Sequence, residues 1–326
     1  MTIFQWNEIK DRFSHGLLLG NGASMAVHPG FGYRSLYKAA LDYGHLTPDV
    51  AGVFMAFGVH DFELVLRRLW QAKVVNEALG IRGGRVAEAY VQVRNSLIST
   101  VRDIHITHDD ALPHLQPIYE FMQNFKTVVS LNYDLLVYWA AMYSQDAIGN
   151  WFKDCFVSGE FADDWELRRI PYRARGATLF FYPHGNLALA RGLDDAEFKI
   201  ATRGLDLLTR VLDVWENGEG VPLFVCEGTS DYKAKAIMGS SYLQRVSREV
   251  LPQIGDSLVI YGWGIADQEA HILKRLSQAN CQRVAVSVYN GDAEFMRHAE
   301  EKLRNAGITE ILFFDSRSQG CWNNPA

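Results

Sequence analysis

The chain of 326 residues has only four cysteines, Cys155, Cys226, Cys281 and Cys321, and no Cys-x-x-Cys pair. Scattered single thiols point to a reducing compartment and predict neither a zinc ribbon nor any other metal site. No apolar run approaches the roughly 20 residues that a membrane span needs. The first residues, Met1 to Glu8, have neither the basic flank nor the apolar stretch of a secretory signal. The expected location is therefore the cytoplasm, with no membrane partner. Positive charge is also short: 32 Lys and Arg stand against 38 Asp and Glu, a net charge of -6, which leaves no broad basic field for nucleic acid. One local group, Arg168, Arg169, Arg173 and Arg175, sits beside Asp163, Asp164 and Glu166 and reads as a solvated loop. Internal repeats, low-complexity tracts and an interdomain linker are all absent.

What is present is ample material for a core, 48% hydrophobic residues with 12% aromatics. The chain is organised around Leu17-Leu18-Leu19-Gly20-Asn21-Gly22-Ala23-Ser24. This reads as a short buried strand running into a glycine turn, with a serine placed to start a helix. Such a turn lets backbone N–H groups approach a phosphate, although a lone Gly-x-Gly is also simply a tight turn. After a loop at His28 to Tyr33, residues 35–125 turn helical. Phe62, Leu66 and Leu69 repeat at helical spacing, as do Val86, Tyr90, Val93, Leu97, Val101 and Ile104. From residue 126, apolar runs alternate with helical stretches. The runs are Thr127–Leu131, Thr178–Tyr182, Leu223–Cys226, Leu258–Tyr261, Val284–Val288 and Ile311–Phe314; one helical stretch carries Leu205, Leu208, Leu212 and Trp215, another runs from Glu269 to Leu276. That rhythm predicts an α/β fold with a doubly wound, Rossmann-like parallel sheet. One domain, residues 1–326, would carry a helical subdomain, residues 35–125, after its first strand.

In such a sheet ligands bind at the carboxyl ends of the strands, so polar residues directly after strands matter most. Five places qualify: Gly20 to Ser24, Asn132-Tyr133-Asp134, His184-Gly185, Gly262-Trp263-Gly264 and Asn290-Gly291-Asp292. Each has a plainer reading. Asn132 and Asp134 can cap the next helix, His184 can be a satisfied core histidine, and the glycines can be turns.

The order of these motifs resembles the sirtuin-like family of NAD-handling proteins over about residues 16–316. The Gly-Ala-Gly-x-Ser turn of that family is matched by Gly20-Asn21-Gly22-Ala23-Ser24, its Asn-x-Asp by Asn132-Tyr133-Asp134, and its His-Gly pair by His184-Gly185. Its later nucleotide turn is matched by Gly262-Trp263-Gly264, and its strand-ending Asn by Asn290. Phe224 to Gly228 and Ser241-Tyr242-Leu243 look like a prokaryotic branch of it. The family's Pro-Asp-Phe-Arg stretch is replaced by Gly30-Phe31-Gly32-Tyr33-Arg34, and its two Cys-x-x-Cys pairs are absent. The resemblance thus implies NAD binding without zinc or peptide deacylation. It implies an NAD glycohydrolase of the kind that depletes NAD in antiviral defence, with a non-catalytic NAD or ADP-ribose sensor as the alternative. By the same resemblance Asp134 holds the nicotinamide carboxamide, Asn132 orients ribose or water and His184 is the base. Gly20 to Ser24 hold the pyrophosphate, Gly262, Trp263 and Gly264 the adenosine side, and Asn290 the adenosine ribose. A small-molecule nucleotide is the expected partner, and homo-oligomerisation is left open.

Overall fold

In chain order the strands are β1 (Ile3–Phe4), β2 (Gly16–Leu19), β3 (Thr127–Ser130), β4 (Phe152–Lys153), β5 (Phe156–Val157), β6 (Glu160–Phe161), β7 (Thr178–Phe181), β8 (Gly185–Arg191), β9 (Glu197–Lys199), β10 (Val221–Phe224), β11 (Ser257–Tyr261), β12 (Arg283–Val288) and β13 (Glu310–Asp315). The computed structural model describes residues 1–32, 35–170, 177–192, 194–202, 206–225 and 228–325. Eight strands form one sheet in the order β1-β13-β12-β11-β2-β3-β7-β4, and every pairing in it is parallel. The expected doubly wound α/β sheet is therefore present.

The central strands read as continuous apolar runs because both faces are covered. Alternate residues feed two separate cores. Leu17, Leu19, Val128, Val259 and Tyr261 belong to one, while Leu18, Val129, Leu258 and Ile260 belong to the other. The second core is closed by two helices that follow β11 and β12, Ala270–Leu276 and Ala293–Asn305, through Ile272, Leu276, Met296, Ala299 and Leu303. The first core is larger because the helical segment between β2 and β3 packs there.

That segment starts with α2 (Asn21–Val27), counting Trp6–Ile9 as α1, and continues with α3 (Leu36–Asp42), α4 (Pro48–Phe57), α5 (Phe62–Ala78), α6 (Gly84–Ile104) and α7 (His108–Met122). Its starts are capped as the residue types require. Side chains of Ser35, Thr47 and Asp61 accept the N–H of Lys38, Val50 and Leu64, and Thr107 forms a capping box with Asp110. The predicted stripes are inside: Phe62, Leu66, Leu69, Tyr90, Val93, Leu97, Val101 and Ile104 are buried, and Val86 is half-buried against them.

The remaining helices are α8 (Leu136–Tyr143), α9 (Gln145–Ile148), α10 (Leu207–Glu216), α11 (Ser230–Met238), α12 (Ser241–Arg245), α13 (Ala270–Leu276) and α14 (Ala293–Asn305). Three details depart from the sequence reading. The helical segment follows β2, not the first strand, because the two-residue β1 pairs with β13 at the sheet edge. The run at Leu223 is β10, and it lies antiparallel to β8 in a separate three-stranded sheet, β10-β8-β9. Only Tyr182, Pro183 and His184 separate β7 from β8, too few for the crossover that a parallel neighbour needs. The pairing of β10 also shifts register at Pro222, which has no N–H to give. Finally, Pro29–Gly32 form a 3₁₀ turn that buries Phe31, where a loop was expected. Tyr33, Arg34, Arg173, Arg175, Leu205, Cys226 and Glu227, all used in the sequence reading, lie outside the described residues. Arg168 pairs with Asp164 at 2.7 Å, and Arg169 donates to the Lys126 carbonyl and the Thr127 hydroxyl.

Candidate functional site

Strands β2 and β11 are neighbours, yet the chain leaves them in opposite directions, β2 toward β3 and β11 toward β12. This is the switch point of the sheet, where the loops part and leave a crevice. A cleft of about 670 Å³ opens there, within the range of small-molecule sites. Its wall includes Gly20, Asn21 and Gly22 after β2, Asn132 and Asp134 after β3, His184 after β7, and Gly262, Trp263 and Gly264 after β11. Ala23 and Ser24 are buried behind it. Asn290 does not line it; it is exposed at the end of β12 with φ +52°, where Asp292 caps α14.

The two glycine turns are packed on each other. Gly22 N–H donates to the Gly262 carbonyl at 2.7 Å, and Gly20 N–H to that of Tyr261 at 2.9 Å. Gly262 has φ +67°, and a Cβ there would lie 2.2 Å from the Ala23 nitrogen. Only glycine fits. Ala23 N–H is likewise taken, by the Gly20 carbonyl at 2.9 Å. The pyrophosphate role implied for the whole turn thus narrows, since three of its amides point inward. Asn21 also turns away, its amide donating to the Phe31 carbonyl.

Behind the turn, Asn132 Nδ2 donates to the Gly20 carbonyl at 2.9 Å and to Ser24 Oγ at 2.8 Å. Ser24 in turn donates to Asp134 Oδ2. Asp134 Oδ1 accepts the Leu136 N–H at 3.0 Å, but the N-cap of α8 is Leu135 and no side chain caps it, so neither Asn132 nor Asp134 takes the capping place of the plainer reading. Burial raises the Asp134 pKa, opposed by the Ser24 bond and by nearby His105. Burial lowers the His105 pKa, and both ring nitrogens are used: Nδ1 faces the Ile106 carbonyl at 2.8 Å and Nε2 accepts the Leu135 N–H at 3.1 Å. Asn186, fully buried, donates to the Asp134 carbonyl at 2.5 Å. The polar residues after β3 are therefore held rigidly.

His184 is 3% exposed. Its Nε2 is 2.8 Å from His271 Nε2, and its Nδ1 is 3.9 Å from Glu269 Oε1. Burial drives its pKa well below the ordinary value; Lys233 and His271 push the same way, and a hydrogen bond to the Leu131 carbonyl opposes them. His271 is lowered to about 4, by burial first and then by Lys233. Both shifts favour the neutral ring. Lys233 Nζ stands 3.6 Å from Glu269 Oε1, and Trp263 Nε1 donates to Glu269 Oε2.

Lys233, Glu269 and Gln268 also line the cleft, and none was legible as a site residue. Glu269 is visible in sequence only as the start of a helix, and Lys233 lies in a stretch with no motif. Among the described residues no group of three or more His, Cys, Asp and Glu side chains is placed to hold a metal ion. No described helix is long and apolar enough to cross a membrane. A protein-family model, described as a domain of unknown function (DUF4917), matches residues 17–322. No curated protein matches the chain.

Proposed function

The chain belongs to the DUF4917 family, and from its cleft we propose that it binds NAD there and hydrolyses the nicotinamide–ribose bond, releasing nicotinamide and ADP-ribose. The observation that carries the reading is the convergence of Asn132, Asp134 and His184 on one cleft at the switch point. In this reaction the C1′–N bond breaks with its electron pair leaving on neutral nicotinamide. Water oxygen bonds to C1′, and the water proton passes to a base. His184 would be that base: burial first, then Lys233 and His271, favour its unprotonated form. Asp134 uses one lone pair on each oxygen internally and retains others for a carboxamide N–H. Asn132 is fixed on the same wall, the kind of preorganisation that orients a water or ribose. The ribose end of a nucleotide is thus better matched than the phosphate end, where Lys233 is the only Lys or Arg among the described lining residues and is paired with Glu269. Depletion of NAD in antiviral defence, implied by the sirtuin-like resemblance, belongs to this same proposal.

A second reading, a sensor that binds NAD or ADP-ribose without turnover, draws on the internal bonds of Asn132 and Asp134, which a binding wall would need as much as a catalyst. Purified protein with NAD separates the two. His184→Ala should lower nicotinamide release roughly 10²–10⁴-fold, as loss of a general base does, with NAD affinity by calorimetry nearly intact. Asn132→Ala should abolish release. Tight binding with no release by the wild type favours the sensor, and unchanged release by folded His184→Ala protein rules out the base.

A further inference from the structure

The contact between His184 and His271 joins two identical atoms, Nε2 to Nε2 at 2.8 Å. One must donate and the other accept, and the surroundings decide which. Glu269 Oε1 stands 3.9 Å from His184 Nδ1, and the ring also gives a hydrogen bond to the Leu131 carbonyl; with Nε2 engaged by His271, we assign that bond to Nδ1. Nδ1 therefore carries the hydrogen, and Nε2 of a neutral His184 is a bare lone pair. The donor across the contact is then His271 Nε2–H, which leaves His271 Nδ1 as an acceptor. Ser230 Oγ lies 3.1 Å from that nitrogen and itself accepts the His271 backbone N–H at 3.0 Å. Its hydroxyl hydrogen is free to point at His271 Nδ1. Every donor in the chain Ser230, His271, His184, Leu131 meets one acceptor, and only this ordering satisfies them all.

We propose that His271 is a positioning residue for His184: its Nε2–H holds His184 in the Nδ1–H tautomer, and Ser230 holds His271 in turn. A consequence follows for chemistry at the cleft. The lone pair with which His184 would take a proton is covered by His271, so proton uptake at Nε2 requires that one bond to open. The groups facing the pair are Lys233 from α11 and Glu269 at the start of α13, already paired with each other. The inference deepens the proposed hydrolase reading, on which its kinetic arm rests; its spectroscopic arm stands without any substrate.

The test is ¹⁵N NMR of histidine-labelled full-length protein at pH 7. His184 should show a protonated Nδ1 and a bare Nε2, and His271 the reverse, with a ¹⁵N–¹⁵N coupling across the shared N–H···N bond. A His184 protonated at Nε2 overturns the proposal, and so does absence of the coupling. His271→Ala removes the donor and admits water, so the His184 pKa should rise by about one unit, the worth of one hydrogen bond to the neutral form. His271→Gln, whose amide can donate, should keep it low. Equal pKa values in the Ala and Gln variants refute positioning. In nicotinamide release, the acid limb of the pH profile should move up by the same amount in His271→Ala and stay in place in His271→Gln. If the wild type releases no nicotinamide, the hydrolase reading fails while the tautomer result still decides this inference.

Discussion

The close approach of the two glycine turns makes Gly262 and Gly264 opposite cases two residues apart. Alanine at Gly262 meets two costs. Its φ of +67° is left-handed, about 1–2 kcal/mol for an L-residue. Its Cβ would lie 2.2 Å from Ala23 nitrogen and 2.5 Å from Gly22 carbonyl carbon, and both are backbone atoms that no rotamer change can move. The turns must part, weakening Gly22 N–H to Gly262 carbonyl at 2.7 Å and Gly262 N–H to Ser287 Oγ at 2.9 Å. At about 1 kcal/mol for each such bond, the total is about 3–4 kcal/mol. With unfolding entropy of roughly 2.1 cal/mol/K per residue, a chain of this length loses about 1.5 °C per kcal/mol, so the melting temperature should fall by about 4–6 °C. A Cβ at Gly264 meets nothing within 4 Å, and Gly264→Ala should change stability by less than about 0.5 kcal/mol. Calorimetry and urea unfolding of both variants decide the matter. Equal losses, or a loss below about 1 kcal/mol at Gly262, would refute the packed-turn argument.

Two further outcomes are expected. Leu97, wholly buried between α6 and its neighbours, should cost about 2–5 kcal/mol on change to Ala; a urea-derived loss below roughly 0.5 kcal/mol would mean that this stripe does not pack. Glu63 is raised from 4.5 to about 7, by burial first and then by Asp61. The folded state therefore holds a proton that the unfolded chain has released, and this contribution to stability, complete below pH 4.5, is lost as pH rises to 7. Glu63→Gln should lack that decline, and a variant-minus-wild-type difference that is flat from pH 4.5 to 7 would contradict the shift.

The sheet was readable because its inner strands are buried on both faces and so appear as unbroken apolar runs: β3, β7, β11 and β12 stand out this way, while β13, mostly half-buried, is apolar only at Ile311 to Phe314. β1 and β4, two residues each, carry too little pattern. β8 escaped because its first residue, Gly185, read as part of a His-Gly motif, and β10 was assigned to the wrong sheet because an apolar run does not state its partner. In the site, the glycines and Asn132, Asp134 and His184 were legible from their places after strands. The mutual packing of Gly22 and Gly262 was not, because tertiary contact between distant segments creates it. The same holds for His271 and Ser230, ordinary residues until α11 and α13 bring them against His184.

Strand β2 divides the two cores residue by residue, and this fixes where the chain can change length. A single residue inserted between His15 and Gly20 would swap Leu17 and Leu19 with Leu18 between cores of different size, and would displace Gly20 from Tyr261. No local loop can absorb that, since both flanking strands are parallel and buried. The turn at Gly80–Gly84, between α5 and α6, is the contrary case. Gly80 has positive φ, and its Cβ direction is open; most of its neighbours are exposed. Closure entropy grows slowly with loop length, each doubling costing only about 0.6 kcal/mol. Insertions and deletions belong there, at the far end of the helical segment, while β2 admits none.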